Sequence, residues 1–159
     1  METENWTTEQ IRYARPADYD RVETIMEEVH ALHLGWRPDI YQAADVIYPR
    51  AYFEKRCLEH RILVAERNGV IVGHLTYDYH HVISDKFLDR TVLFVDDLAV
   101  KEEYRGQGIG TSLLNAVKEK VRQEHLDGLE LQVNARNTAA RRIYEHFGFT
   151  EKSINLELL

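Results

Sequence analysis

Residues 98–111 read Leu98-Ala99-Val100-Lys101-Glu102-Glu103-Tyr104-Arg105-Gly106-Gln107-Gly108-Ile109-Gly110-Thr111. An apolar run ends at Val100, glycines follow at alternate positions, and then Leu113, Leu114, Val117 and Val121 recur at helical spacing. Glycine lets backbone N–H groups crowd toward one point, and a helix N-terminus adds positive potential there. Such a strand–turn–helix suits a phosphate or pyrophosphate, although a tight turn without a ligand satisfies the same pattern. Two familiar phosphate loops are excluded. No lysine follows the last glycine, as a P-loop requires, and Gly106, Gly108 and Gly110 miss the dinucleotide-fold spacing.

Upstream, Thr91 to Val100 reads as a long strand with Asp96 and Asp97 in its middle. Alternation along a strand sends these neighbours to opposite faces. A carboxylate among Phe94, Val95 and Leu98 is costly unless hydrated or paired, which points to a cleft. Earlier still, Gln10 to Ala14 reads as a strand, Asp18 as a helix cap, and residues 22–33 as a helix ended by Gly35 and the Arg37-Pro38-Asp39 turn. A second helical region is expected over residues 43–59, with Pro49 as a start or break. Strands 61–66 and 70–77 flank Asn68-Gly69, a strong hairpin signal. Residues 82–89 read as a loop or second turn, 129–133 as a strand, 138–147 as a short helix stopped by Gly148, and 154–158 as a closing strand. This order predicts an α/β fold with a mixed central sheet of about six or seven strands and about four helices, in one domain over residues 1–159.

Composition agrees. With 159 residues, 44% hydrophobic and 30% charged, the chain reads as one soluble globular domain. No run approaches the ~18 apolar residues of a membrane span. The acidic, polar start Met1–Trp6 argues against a secretory signal. Net charge is -7, from 20 basic and 27 acidic residues, the opposite of a nucleic-acid binder and compatible with a cationic substrate. A lone Cys57, read as a small buried residue, fits a cytoplasmic protein without disulfides.

Arg105-Gly106-Gln107-Gly108-Ile109-Gly110, after a strand ending Leu98-Ala99-Val100, resembles the acetyl-CoA motif R/Q-x-x-G-x-G/A of the GCN5-related N-acetyltransferases. Residues 137–149 resemble a second segment of that family, N-x-x-A-x-x-x-Y-x-x-x-G-F, with Asn137, Ala140, Tyr144, Gly148 and Phe149 in place. The resemblance is specific between about Val95 and Phe149 and implies a GNAT-like fold using acetyl-CoA as co-substrate, with no metal. It implies that Arg105, Gly106, Gln107, Gly108, Ile109, Gly110 and Thr111 hold the pyrophosphate. Leu98, Ala99 and Val100 would pair with the pantetheine arm like an added strand, and Asn137 would bond that arm or cap its helix. Tyr144 matches the proton donor to the leaving sulfur. Acidic residues of relatives map to Asp96 or Asp97, the candidate bases.

The resemblance further implies an acceptor pocket lined by the first two helices and the loop after the third strand. His30, His33, Trp36, Arg37, Tyr41 and His81 are the candidate acceptor-binding residues. Aromatic and acidic groups suit a cationic amine, whereas Arg37 suits an acceptor carboxylate. His30 and His33 share a helix face but have no matched third metal ligand. The expected activity is acetyl transfer from acetyl-CoA to a primary amine of a small molecule such as a polyamine, amino acid or aminoglycoside, by direct attack in a ternary complex. An acetyl-CoA sensor, a nucleotide-phosphate binder and a peptide or protein N-acetyltransferase are the competing readings. No membrane or nucleic-acid partner is expected, and the edge at Ile154–Leu158 would let two copies pair as a homodimer.

Overall fold

Consecutive buried residues, Ile62–Ala65 in one strand and Ile71–Tyr77 in the next, build a sheet that is covered on both faces. The computed structural model describes residues 9–159, so the stretch Met1–Trp6 lies outside the described residues. Five strands run in spatial order β1 (Gln10–Tyr13), β2 (Ile62–Arg67), β3 (Val70–Ser84), β4 (Phe87–Val100) and β5 (Gly128–Leu131). β1 to β4 pair antiparallel, and β4 pairs parallel with β5. Helices α1 (Tyr19–Trp36) and α2 (Arg50–Leu58) cover one face, where Val22, Ile25 and Phe53 meet Ile62 and Val64. Helices α3 (Ile109–Gln123) and α4 (Thr138–Phe147) cover the other, where Leu113, Leu114 and Val117 meet Leu63, Leu75 and Leu93. The mixed α/β sheet and its four helices are as expected from sequence.

Several boundaries differ, each for a local reason. Five strands form among the described residues rather than six or seven, because residues 150–159 form no strand and Ile154, Leu156 and Leu158 are exposed. Of the loop or turn expected at 82–89, the turn is present at residues 85–86, but it is tighter than expected because β3 and β4 continue into it as one hairpin. Of the second helical region only Arg50–Leu58 is helix, with Pro49 as its start: proline suits that position and cannot continue a helix from before. Helix α1 runs through Gly35 to Trp36. Asp18 stands at the N-cap of α1 as expected, but its carboxylate makes no cap bond to α1 and instead accepts the Arg15 N–H and the Arg12 guanidinium. The Asn68-Gly69 hairpin is as expected, with φ of 51° and 76°.

At Gly73 helix α3 packs tightly against the sheet. A Cβ there would lie 3.1 Å from the Ala99 carbonyl oxygen and 3.1 Å from Ile109 Cγ2. Gly73→Val is therefore expected to destabilise the fold by about 1–3 kcal/mol through overpacking, read as a lowered urea midpoint at unchanged slope.

Candidate active site

The site arises where β4 outruns its neighbour. β5 pairs with β4 only from Val92 to Val95, opposite Gly128 to Leu131. The chain then leaves the sheet toward α4, while β4 continues to Val100. Lys101 donates its N–H to the Val72 carbonyl at 2.8 Å, so in antiparallel pairing the backbone groups of Val100 and Leu98 point away from β3. Arg105 Nε donates to the Val100 carbonyl at 3.0 Å, which confirms that direction. An open stretch of strand edge thus borders the glycine turn.

A bulge sits at the same point. Thr76 pairs with Asp97 and Tyr77 with Val95, which leaves Asp96 as the extra residue on β4. Simple alternation therefore fails here, and the expectation of opposite faces is corrected. Asp97 shares the α1–α2 face with its partner Thr76. Asp96 turns to that same side, where its Oδ2 lies 3.5 Å from the Arg56 guanidinium of α2. Arg56 is buried and also bonds Asp78 at 3.1 Å and the Tyr77 carbonyl at 2.8 Å. Burial raises the Asp96 carboxyl. Asp97 is pushed up to about 6, first by burial and then by Asp96, with Arg56 opposing.

Tyr48 completes this wall. Its Oη lies 3.3 Å from Thr76 Oγ1, and its ring packs edge-on against Tyr52 and Phe53. The irregular segment before α2 holds it there because Glu23 of α1 accepts the Ile47 and Tyr48 N–H groups at 2.6 and 2.8 Å. Burial raises the Tyr48 hydroxyl above its ordinary value.

On the opposite face, Tyr144 of α4 packs with Phe149 at 5.8 Å between ring centres and against the cluster that holds Leu98, Val100 and Leu131. Burial pushes its hydroxyl up to about 12, so it stays protonated at neutral pH. Asn137 caps α4, accepting the Ala140 N–H at 3.1 Å. In the glycine turn, Gly106 and Gly108 have φ of 75° and 82°, and Gly108 is the N-cap of α3. The N–H groups that open α3 have no partner within the helix by geometry. Gln107 accepts from Arg67 at 2.5 Å, and Thr111 lines a cleft between α3 and α4 with Arg142 and His146.

The expected acceptor residues divide. His30, His33, Trp36 and Tyr41 form one aromatic cluster at the end of α1, with His33 stacked on Tyr41 at 4.9 Å and edge-on to Trp36 at 5.3 Å. Arg37 is held by Asp39 and Glu157 at 2.7 and 2.5 Å. His81 sits five residues beyond Thr76 on the hairpin arm, roughly 17 Å along the strand, and pairs with Asp89 at 2.6 Å. The structure thus does not bring His81 to the carboxylates. Sequence reading missed Tyr48, Thr76 and Arg56, which no local motif distinguishes from ordinary core and helix residues. The Arg141-Arg142 pair with His146 was a readable signal for the α3–α4 cleft. Among the described residues, no group of three or more His, Cys, Asp or Glu could hold a metal ion. No helix among them is long and apolar enough to cross a membrane.

The sequence profile of the Acetyltransferase (GNAT) family matches residues 26–149. The chain belongs to the GNAT acetyltransferase family. Among relatives of this GNAT enzyme, the uncharacterized N-acetyltransferase YhfO of Bacillus subtilis is 29% identical over 143 residues, spanning 89% of each chain. The aminoalkylphosphonate N-acetyltransferase of Salmonella typhimurium is 27% identical over 155 residues, covering 89% of this chain and 90% of its own. The tetramutant of the BH1408 protein from Bacillus halodurans superposes with a TM-score of 0.90 at 25% identity, covering 94% of this GNAT chain and 99% of its own. The chain is an N-acetyltransferase on this evidence, and acetyltransferases of this fold use acetyl-CoA.

Proposed function

We propose that the chain, as one N-acetyltransferase domain, moves the acetyl group of acetyl-CoA onto a primary amine of a small cationic molecule by direct attack. The observation that carries this reading is the open edge of β4, with Asp97 on one face and Tyr144 on the other. In it, the glycine turn and the start of α3 take the pyrophosphate, and the Leu98 and Val100 backbone groups take the pantetheine arm. Asp97 accepts the proton as the amine nitrogen bonds the acetyl carbon. A strand-edge N–H holds the developing oxyanion. The carbon–sulfur bond then breaks, and Tyr144 gives its proton to the departing thiolate.

A thiol of unperturbed pKa near ~8.5 leaves readily even without an acid. Tyr144→Phe is therefore expected to lower turnover by only about tenfold at neutral pH, checked by steady-state rates of CoA release. Asp78, Asp96 and Asp97 stand against two arginines, Arg56 and, at Asp78, Arg61, a negative surplus that favours an acceptor with a second positive charge. Arg37 is already occupied by two carboxylates, which weakens the case for an acceptor carboxylate. The buried Cys57 thiol, pushed up to about 11 by burial, fits the proposed cytoplasmic setting. Pairing of two copies through the exposed Ile154, Leu156 and Leu158 is part of the same proposal.

The test is CoA release from acetyl-CoA, followed with a thiol reagent, against spermidine, lysine, kanamycin, 2-aminoethylphosphonate and a short peptide. Turnover with spermidine or kanamycin above the others supports the reading. Turnover confined to the peptide or the phosphonate overturns the acceptor class, and acetyl-CoA binding without turnover on any amine favours a sensor.

A further inference from the structure

Next to the bulge, β3 runs past the start of β2. Tyr77 donates its N–H to the Arg61 carbonyl at 3.0 Å, but the Arg61 N–H goes to the Arg56 carbonyl at 2.9 Å, so the Tyr77 carbonyl, which points to the β2 side, lacks a ladder donor. Arg56 supplies the donor: one guanidinium nitrogen gives 2.8 Å to the Tyr77 carbonyl and reaches Asp96 at 3.5 Å, while the other bonds Asp78 at 3.1 Å and Glu59 at 3.4 Å. Its side chain is only 8% exposed, so desolvation makes these contacts matter more than surface pairs. We propose that Arg56 is a positioning residue for acetyl transfer: from α2 it holds Asp96 of the β4 bulge and sets its positive charge on the face that carries Asp97 and receives the acceptor. This rests on the reading of Asp97 as the base.

The charged surroundings of Asp97 make the role specific. From its own strand it faces Asp96, and from the segment before α2 it faces the Tyr48 hydroxyl, which stays neutral. From α2 it faces Arg56, with Tyr52 acting on that arginine. From β3, Thr76 is its register partner, while Asp78 and His80 act on Asp96 and Arg61 acts on Asp78. Arg56 is thus the cation that opposes both burial and Asp96 at Asp97. Lysine at this position would keep the charge and lose the fork; glutamine would lose the charge and keep a donor for the Tyr77 carbonyl.

The experiment needs no acceptor. Protein labelled with carbon-13 at the aspartate carboxyls is titrated by NMR, and Asp97 is identified by the signal missing in Asp97→Asn. Arg56→Gln is expected to move the Asp97 midpoint up by about one pH unit or more, and Arg56→Lys to leave it near the wild-type position. Asp78→Asn, at a half-exposed side chain, frees Arg56 from one carboxylate and is expected to move the midpoint down, a safeguard should Arg56→Gln fail to fold. An unmoved midpoint in the folded charge-altering variants overturns the proposal. Failure of the base reading shows separately, as near-wild-type CoA release by Asp97→Asn with spermidine.

Discussion

Asp97→Asn is expected to lower kcat/KM for the amine acceptor by about 10²–10⁴-fold, the usual range for removing a general base. The wild-type profile should rise with pH through about 6 as the Asp97 carboxyl loses its proton, and that limb should be absent from the residual rate of the variant. The same substitution is expected to stabilise the protein. The folded state raises this carboxyl, so folding favours its protonated form, and the advantage is lost as pH rises through about 6. An uncharged amide removes the cost of holding a carboxylate there. Thermal melts at pH 8 should place the variant above wild type, with the gap closing below pH 4. A variant that is both inactive and less stable at pH 8 would instead indicate collapse of the bulge. Rate and stability moving in opposite directions is what separates a working base from a structural carboxylate.

How much of this was legible in the sequence depended on the range of the interaction responsible. The glycine turn, the Asn68-Gly69 hairpin and the Asn137 cap are local, fixed by residues a few positions apart, and all stand where the sequence placed them. Asp96 and Asp97 were legible as misplaced carboxylates but not in direction. Their shared face comes from a bulge, a mismatch between β3 and β4 that neither strand carries alone. Arg56 and Tyr48 were invisible because their meaning is tertiary: one reads as a charged helix residue until it is buried against β3, the other as loop until Glu23 fixes its backbone. Residues 154–158 failed the other way. Their alternation is genuine, but alternation makes a strand only when a neighbouring edge accepts it, and in the isolated chain these side chains stay exposed.

Phe53→Ala is expected to cost about 3–5 kcal/mol of stability, a large share of the ~5–15 kcal/mol a domain commands. Phe53 is fully buried on α2, with Tyr19 of α1 edge-on at 5.5 Å and Tyr48 at 6.0 Å, and it belongs to the cluster that joins both helices to Ile62 and Val64. Removing the ring leaves a cavity where α1, α2 and the sheet meet, and the rigid Tyr19 and Tyr48 rings cannot close it without leaving their hydroxyl partners, the Tyr48 carbonyl and Thr76. For a chain of this size the loss should appear as a fall in Tm of about 10 °C or more. Its effect on catalysis should be selective. Arg56 stands one helical turn after Phe53, so loosened docking of α2 loosens the grip on the β4 bulge, whereas the glycine turn and α4 belong to the opposite face. At a temperature where the variant is still folded, acetyl-CoA should therefore bind with nearly unchanged Kd by calorimetry while turnover falls. Equal losses of binding and turnover would mean that the two faces of the sheet do not act as separate supports for co-substrate and acceptor.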